Sequence, residues 1–310
     1  MLRVAAIGEC MVELQHRDER LLELGFAGDS FNTALYMARC TRRERLAVDY
    51  MTALGTDPYS EAMLKAWRAE GIGADRVARL PGRLPGLYFI RTDAAGERRF
   101  FYYRSAAAAR ELFRDAASES LLEALPGYDV LYFTAITLSL LDPAARERFR
   151  LALATARAAG RLIAFDSNYR PAGWSDADAA RAAIAPFLDT LTLALPTFED
   201  EQALWGDAAM ADTIARYAPR GIEVCVKRGE GGCFLADGEC VPVPQRIIPI
   251  DTTGAGDSFN AAYLTARLAG HPPAEAARAG HILAGTVIRH KGAIMPRDAA
   301  IPAFPGYEAA

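Results

Sequence analysis

The run Asp251-Thr252-Thr253-Gly254-Ala255-Gly256-Asp257-Ser258-Phe259-Asn260-Ala261-Ala262-Tyr263-Leu264 constrains this chain more than any other stretch. A β-branched, proline-punctuated run (residues 246–250) precedes it, and an alanine-rich amphipathic segment follows. The pattern reads as extended chain, a glycine-rich turn and the first turn of a helix. Gly254, Ala255 and Gly256 carry almost no side chain, so their backbone N–H groups can close around an anion. The helix start behind them adds unpaired N–H groups and the positive end of its dipole. Asp257 stands where a carboxylate can face a hydroxyl beside that anion hole. An anion cradle next to a candidate base is the minimum equipment for phosphoryl transfer. A second reading stays open: a capped helix after a flexible loop, with Asp257 only accepting from backbone donors.

Two other glycine signatures are excluded. No G-x-x-x-x-G-K-[ST] occurs, and no G-x-G-x-x-G follows the first strand. The net charge of −4 and the pI near 5.7 argue against a nucleic-acid-binding surface. No apolar run approaches a membrane span, and the first residues begin a strand without a signal-peptide layout. The five cysteines (Cys10, Cys40, Cys225, Cys233, Cys240) are odd in number and lack C-x-x-C spacing. They read as buried or incidental thiols in a reducing cytoplasm, with no metal site built from protein ligands.

Taken in order, residues 2–7 form an apolar strand ending at Gly8-Glu9. Gly28-Asp29-Ser30-Phe31-Asn32 then leads into a helical pattern over 33–40, with Asp29 and Ser30 as caps. Residues 48–54 are a strand and 59–71 an amphipathic helix, an alternation that predicts a parallel sheet with helices on its faces. At 87–92 and 98–104 the texture changes to two aromatic-rich strands joined by Asp93-Ala94-Ala95-Gly96, a hairpin inserted to cover a site. Small residues 105–109 read as a helix start, 130–136 as a buried strand and 142–160 as a capped helix. Residues 162–165 run as a strand into the polar cluster Asp166-Ser167-Asn168-Tyr169-Arg170-Pro171, where open α/β sheets keep ligands. Beyond it come a strand at 190–195, a helix ending at Trp205-Gly206, a strand at 223–226, and a glycine-rich turn leading to a hairpin about Asp237-Gly238. His281 lies on a later helix, where capping or packing would also explain it.

The signature run resembles that of the ribokinase-like sugar kinases, the phosphofructokinase-B family. The likeness extends from Gly8-Glu9-Cys10 to Gly292-Ala293-Ile294. It implies a ribokinase-like α/β fold: a three-layer α/β/α sandwich forming one kinase domain over 1–310, with a small β-lid from about 10–27 and 80–105. Such lids frequently pair with a second subunit, so a homodimer or higher homo-oligomer is expected. The resemblance implies ATP as phosphoryl donor, with Mg2+ accompanying the nucleotide. Asp257 would be the general base, with the N–H groups of Gly254, Ala255 and Gly256 stabilising the transferring phosphoryl. Thr197, Lys227, Gly229, Gly232, Gly254, Gly256 and His281 would meet the nucleotide. The family often has Asn-x-x-Glu where this chain has Thr197 and Asp200, so Asp200 is placed behind the metal.

The family's Gly-Gly-x-x-x-Asn run appears as Ala27-Gly28-Asp29-Ser30-Phe31-Asn32, which implies a polyol against Gly28, Asp29 and Asn32. Its Asp-x-Asn-x-Arg form puts Asn168 and Arg170 at the substrate, with Tyr88, Tyr102 and Arg104 from the lid. A neutral sugar does not need a guanidinium, whereas a planar carboxylate suits one bidentately. Arg104 and Arg170 together therefore point to a sugar acid. The segments around 83–88 and 104–110 are similar to those of the family's ketodeoxygluconate-phosphorylating branch, which implies phosphorylation at a carbon-6 hydroxyl. Another sugar or sugar acid as substrate, or a non-catalytic sugar-acid sensor, are the alternatives. The partners expected are a sugar acid and ATP, with no nucleic acid and no membrane.

Overall fold

A computed structural model describes residues 1–92, 98–114 and 116–304 of the chain. The elements begin with β1 (Leu2–Ile7), β2 (Met11–His16), β3 (Leu22–Ala27), α1 (Asp29–Cys40), β4 (Leu46–Leu54), α2 (Pro58–Ala69) and β5 (Val77–Arg79). They continue with β6 (Leu87–Thr92), β7 (Arg98–Tyr103), α3 (Ala116–Ala124), β8 (Val130–Thr134), α4 (Ala135–Leu140), α5 (Pro143–Ala158), β9 (Leu162–Asp166) and α6 (Ala177–Ile184). The last are β10 (Leu193–Ala194), α7 (Phe198–Trp205), α8 (Met210–Tyr217), β11 (Glu223–Lys227), β12 (Cys233–Leu235), β13 (Cys240–Val241), α9 (Ala255–Leu268) and α10 (Pro273–Val287).

Strand periodicity decides the layering. Successive side chains of a strand point to opposite faces, and here both faces are apolar. In β1, Val4 and Ala6 join one core while Ala5 and Ile7 join the other; in β8, Val130 and Tyr132 oppose Leu131 and Phe133. Helices α1, α2, α9 and α10 cover the first face, and α3 to α8 the second. A sheet apolar on both sides is stable only when sandwiched in this way. Its nine strands run β13-β12-β11-β10-β9-β8-β1-β4-β5, parallel except at β12 and β13. The chain leaves β1 toward β4 on one side and toward β8 on the other, so the reversal of strand order, where ligands gather in such sheets, falls beside β1.

A second sheet, β3-β2-β6-β7, is built from the two stretches near 10–27 and 80–105. Met11, Tyr88 and Ile90 form a small apolar cluster on one of its faces. The turn expected at 93–96 lies outside the described residues.

Several boundaries differ from the sequence reading, each for a local reason. Asp29 and Ser30 are not caps: α1 starts at Asp29 behind Gly28, without a side-chain capping bond, and the Asp29 carboxylate is engaged elsewhere. The strand expected to reach 136 stops at Thr134, whose Oγ1 accepts from the Thr137 amide (3.3 Å) and starts α4. The strand over 190–195 shortens to Leu193–Ala194 because the Thr192 hydroxyl, not a backbone carbonyl, accepts from the Ile163 amide at 2.7 Å. The small residues after Arg104 form a turn and a 3₁₀ helix, Ala108–Glu111. Residues 246–250 pair with no strand among the described residues, and Ile248 is 91% exposed. All five cysteines are free, four buried and Cys240 exposed. No helix among the described residues is long and apolar enough to cross a membrane.

Close packing of α9 on α10 holds the signature helix in place. A Cβ built on Gly280 would lie 2.6 Å from Cδ2 of the Phe259 ring. Gly280→Val should therefore lower the chemical-denaturation midpoint, at a cost on the order of 1–3 kcal/mol for overpacking. Adding Phe259→Leu should recover part of that loss, which a side-by-side denaturant series would read.

Candidate active site

The carboxyl ends of β1, β9 and β11 and the N-termini of α1 and α9 border a cavity of about 1450 Å³, which β6 and β7 of the small sheet also line. Gly28, Asp29, Asn32, Tyr88, Tyr102, Arg104, Asn168, Arg170, Thr197, Lys227, Gly254, Ala255, Gly256 and Asp257 all line it. Residues separated by more than two hundred positions thus meet on one wall.

Gly254 caps α9 at φ 77°, and a Cβ there would lie 2.6 Å from the Ala293 carbonyl oxygen. Positive φ and a backbone neighbour both require glycine. Behind it, the amides of Gly256 and Asp257 make no hydrogen bond with any described residue, while the Ala255 amide bonds the Thr252 carbonyl at 3.2 Å. A long helix whose first amides are free offers an anion site. Lys227 adds positive charge: its buried Nζ is 3.7 Å from where a Gly256 Cβ would stand. That ammonium donates to Asp166 Oδ2 and Asn260 Oδ1, both at 2.9 Å.

Asp257 accepts a 2.8 Å hydrogen bond from Asn32 Nδ2. Desolvation by the cavity walls, then repulsion from Asp29, pushes its carboxyl up to about 8, against the opposing pull of the Asn32 bond and Lys227. Asp29 itself accepts from Thr134 Oγ1 (2.6 Å) and Asn168 Nδ2 (2.8 Å). Asn168 sits at φ 24°, a left-handed conformation that asparagine tolerates better than most residues. The arrangement can hold an anion at the helix start and remove a proton beside it.

A second group lies on the same cavity. Arg104 pairs with Glu9, whose side chain is fully buried and whose carboxyl burial pushes up despite the guanidinium. Arg170 Nη1 donates to the Tyr169 carbonyl at 2.8 Å and to Asp200 Oδ1 at 3.1 Å, with its side chain 56% exposed. The Tyr88 ring packs on Tyr102 (5.6 Å) and Phe100 (6.2 Å), and the Tyr88 hydroxyl donates to Glu13.

Three residues expected at a nucleotide stand outside this cavity wall. Gly229 opens a 3₁₀ turn after β11 and Gly232 closes it, and a Cβ on Gly232 (φ 84°) would meet the Val241 carbonyl oxygen at 2.5 Å. His281 is buried, its Nε2 3.1 Å from that same oxygen and its ring edge-on to Phe259 at 5.1 Å. These are the contacts of a packing histidine.

The sequence reading placed Asp166 in the polar cluster after β9 but gave no role of their own to Glu9, Asp166 and Asn260. Glu9 and Asp166 carried a usable signal, since each is a carboxylate at the carboxyl end of a strand. Asn260 lies three residues after Asp257, on the same face of α9. Arg98 gave no local signal: it pairs with Asp251 across 153 positions, tying β7 to the start of the glycine loop.

A family model described as pfkB family carbohydrate kinase matches residues 1–300. The chain is 42% identical over 305 residues to the 2-dehydro-3-deoxygluconokinase of Escherichia coli K12, covering 96% of this chain and 98% of that one. In structure it is similar to a 2-dehydro-3-deoxygluconokinase from Thermotoga maritima, with a TM-score of 0.83, 21% identity, and 95% and 96% of the two chains covered. It is likewise similar to a fructokinase with bound ATP from Xylella fastidiosa, with a TM-score of 0.80, 20% identity, and 94% and 93% covered. The chain belongs to the pfkB family of carbohydrate kinases and has the ribokinase-like α/β fold.

The raised carboxyl of Asp257 makes a stability prediction. A carboxyl that ionises near 8 when folded and near 3.8 in its ordinary state opposes folding increasingly as pH rises between those values. Its burden is absent below about 4 and complete above about 8. Asp257→Asn should thus stabilise the protein at pH 8 by at least about 1 kcal/mol more than at pH 4. Denaturant titrations of both proteins at the two pH values would measure the difference.

Proposed function

We propose that this pfkB-family kinase transfers the γ-phosphoryl group of ATP to the carbon-6 hydroxyl of 2-keto-3-deoxygluconate, giving 2-keto-3-deoxy-6-phosphogluconate. The observation that carries the reading is that two guanidinium groups, Arg104 and Arg170, share one cavity with Asp257 and the free amides of α9. The first pair suits a carboxylate and the second group suits phosphoryl transfer to an alcohol. Identity of 42% over nearly the full length to a relative of that name supports the same substrate.

In this reading Asp257 takes the hydroxyl proton as the oxygen attacks the γ-phosphorus in line. A carboxyl held near 8 is a stronger base than an ordinary aspartate and is matched to neutral pH. The free amides of Gly256 and Asp257 and the Lys227 ammonium stabilise charge on the transferring phosphoryl, Gly254 shapes the turn that presents them, and the Ala255 amide is spent on the Thr252 carbonyl. Gly28, Asp29, Asn32 and Asn168 orient the polyol hydroxyls, and Tyr88 and Tyr102 close the cavity from the small sheet. Thr197 and Lys227 border the nucleotide. Gly229, Gly232 and His281 shape that wall from behind, the last two through the Val241 carbonyl.

The fit to a nucleotide phosphate rests on the unpaired amides and the nearby ammonium. Among the described residues no three His, Cys, Asp or Glu side chains are grouped to hold a metal ion. Magnesium carried on the nucleotide's phosphates, with its remaining positions taken by water, would supply charge neutralisation. The setting is the cytoplasm.

The outer face of the small sheet supports a homo-oligomer. Leu24, Leu14, Phe89 and Phe101 lie in register across its four strands, and Phe101 and Leu24 are each 46% exposed. A row of this kind with no covering layer among the described residues suits a second copy of the chain. Sedimentation at micromolar concentration should show a dimer or larger species, and a monomer would refute the contact.

The substrate assignment is tested by coupled ADP release over a panel of sugar acids. Asp257→Asn should lose roughly 10²–10⁴-fold in turnover while still binding 2-keto-3-deoxygluconate. Arg170→Lys keeps the charge but not the planar fork, so it should raise KM for the acid roughly ten- to hundredfold. It should leave weak activity on a neutral analogue nearly unchanged. Equal loss on both substrates would remove the carboxylate from the role of Arg170.

A further inference from the structure

A second cavity, of about 580 Å³, opens from the first and shares seven lining residues with it, among them Arg110, Ser139 and Trp174. Four guanidinium groups line it (Arg83, Arg110, Arg114 and Arg146) against two carboxylates, Glu111 and Asp142. Both carboxylates are fully engaged. Glu111 bridges Arg83 and Arg114, each at 2.8 Å. Asp142 holds Arg114 at 2.6 Å with one oxygen and caps α5 with the other, accepting from the Ala145 amide at 2.7 Å.

Arg110 and Arg146 are left without a carboxylate partner among the described residues. Arg146 donates through Nε to the Leu141 carbonyl at 3.0 Å, and its guanidinium lies 5.6 Å from the centre of the Trp174 ring. Burial holds its pKa below the ordinary range. A half-buried guanidinium whose counter-charges act only through space, Asp142 on Arg146 and Glu9 on Arg110, is less favourable than one in contact with an anion. Two of them in one concavity leave a surplus of two positive charges. A phosphomonoester carries close to two negative charges at neutral pH and accepts the planar arginine fork bidentately.

We propose that this cavity is a second anion site, taking the phosphate of a small phosphomonoester between Arg110 and Arg146. Arg110, which lines both cavities, connects it to the first. Arg110 lowers the carboxyl of Glu9 electrostatically, and Glu9 is the partner of Arg104. A phosphate on Arg110 offsets that influence, loosening the setting in which Arg104 stands. Occupancy should raise KM for the acid substrate and leave kcat nearly unchanged. This kinetic consequence, unlike the binding itself, rests on the sugar-acid reading given above.

The test uses 6-phosphogluconate and the full chain without nucleotide. Trp174, one of three tryptophans, is a built-in fluorescence reporter, with Trp174→Phe as its control. A saturable change is expected that survives saturating 2-keto-3-deoxygluconate. Arg146→Ala and Arg146→Lys should each weaken binding roughly ten- to hundredfold while retaining wild-type turnover, which also reports that they fold. Arg110→Gln should weaken it comparably. Wild-type affinity in the Arg146 and Arg110 variants would overturn the site, as would complete displacement by the sugar acid. If the wild type fails to turn over any sugar acid, the substrate reading fails, and the fluorescence titrations still decide the anion site on their own.

Discussion

Of the five carboxylates that line the main cavity, three are each held by the amide of an asparagine. Asn32 donates to Asp257 at 2.8 Å, Asn168 to Asp29 at 2.8 Å, and Asn260 to Asp166 at 2.6 Å. A buried carboxylate needs donors, and a side-chain amide supplies them without adding charge. Lys227 is the cation that enters this network. Had the donors been arginines, Asp257 would be drawn down toward an ordinary acid. With amides, repulsion from Asp29 and Asp166 survives, and Asp257 stays high enough to take a proton near neutral pH.

That network depends on the fold, because its members come from α1, β9 with the loop after it, β11 and α9. Helices α1 and α9 are registered by polar contacts as well as by the shared core: Thr33 Oγ1 lies 3.2 Å from both the Asp257 carbonyl oxygen and the Tyr132 hydroxyl. Asn260 reaches the same tyrosine at 3.0 Å. The small sheet is fastened to the glycine loop by Arg98 on Asp251, and Asp251 also accepts from the Gly292 amide at 2.7 Å. The aromatic face over the cavity and the anion cradle beneath it therefore share one anchor.

Legibility in the sequence followed the range of the interaction. Strands β1, β4 and β9 and helices α2 and α5 were readable, because apolar periodicity and caps are local. The glycine loop was readable because its conformation forbids side chains at Gly254. By contrast, α4 hangs on one threonine hydroxyl accepting from an amide three residues ahead, and β10 is cut short by Thr192 binding a neighbouring strand. Neither has a periodic trace. The asparagine–aspartate pairs span 94 to 225 positions, so the residue types were visible but not their pairing. His281 was ambiguous for the same reason, since the Val241 carbonyl that it touches lies 40 positions away.

Both arginines that point to an acid substrate already hold a protein carboxylate, and the geometry explains why this does not exhaust them. A guanidinium offers five N–H donors over two edges. Every hydrogen bond Arg170 makes with described side chains and carbonyls leaves from Nη1, to Tyr169 and Asp200. Its Nη2 and Nε therefore remain for a planar acceptor. Arg104 is pinned from behind by Glu9, a carboxylate too deeply buried to follow a ligand. Such an ion pair holds the guanidinium in place before anything binds, so less side-chain freedom is lost on association. The internal ion pairs thus act as mounts for the arginines. A fixed Arg104 and an exposed Arg170 together present one rigid and one adjustable fork to the same cavity.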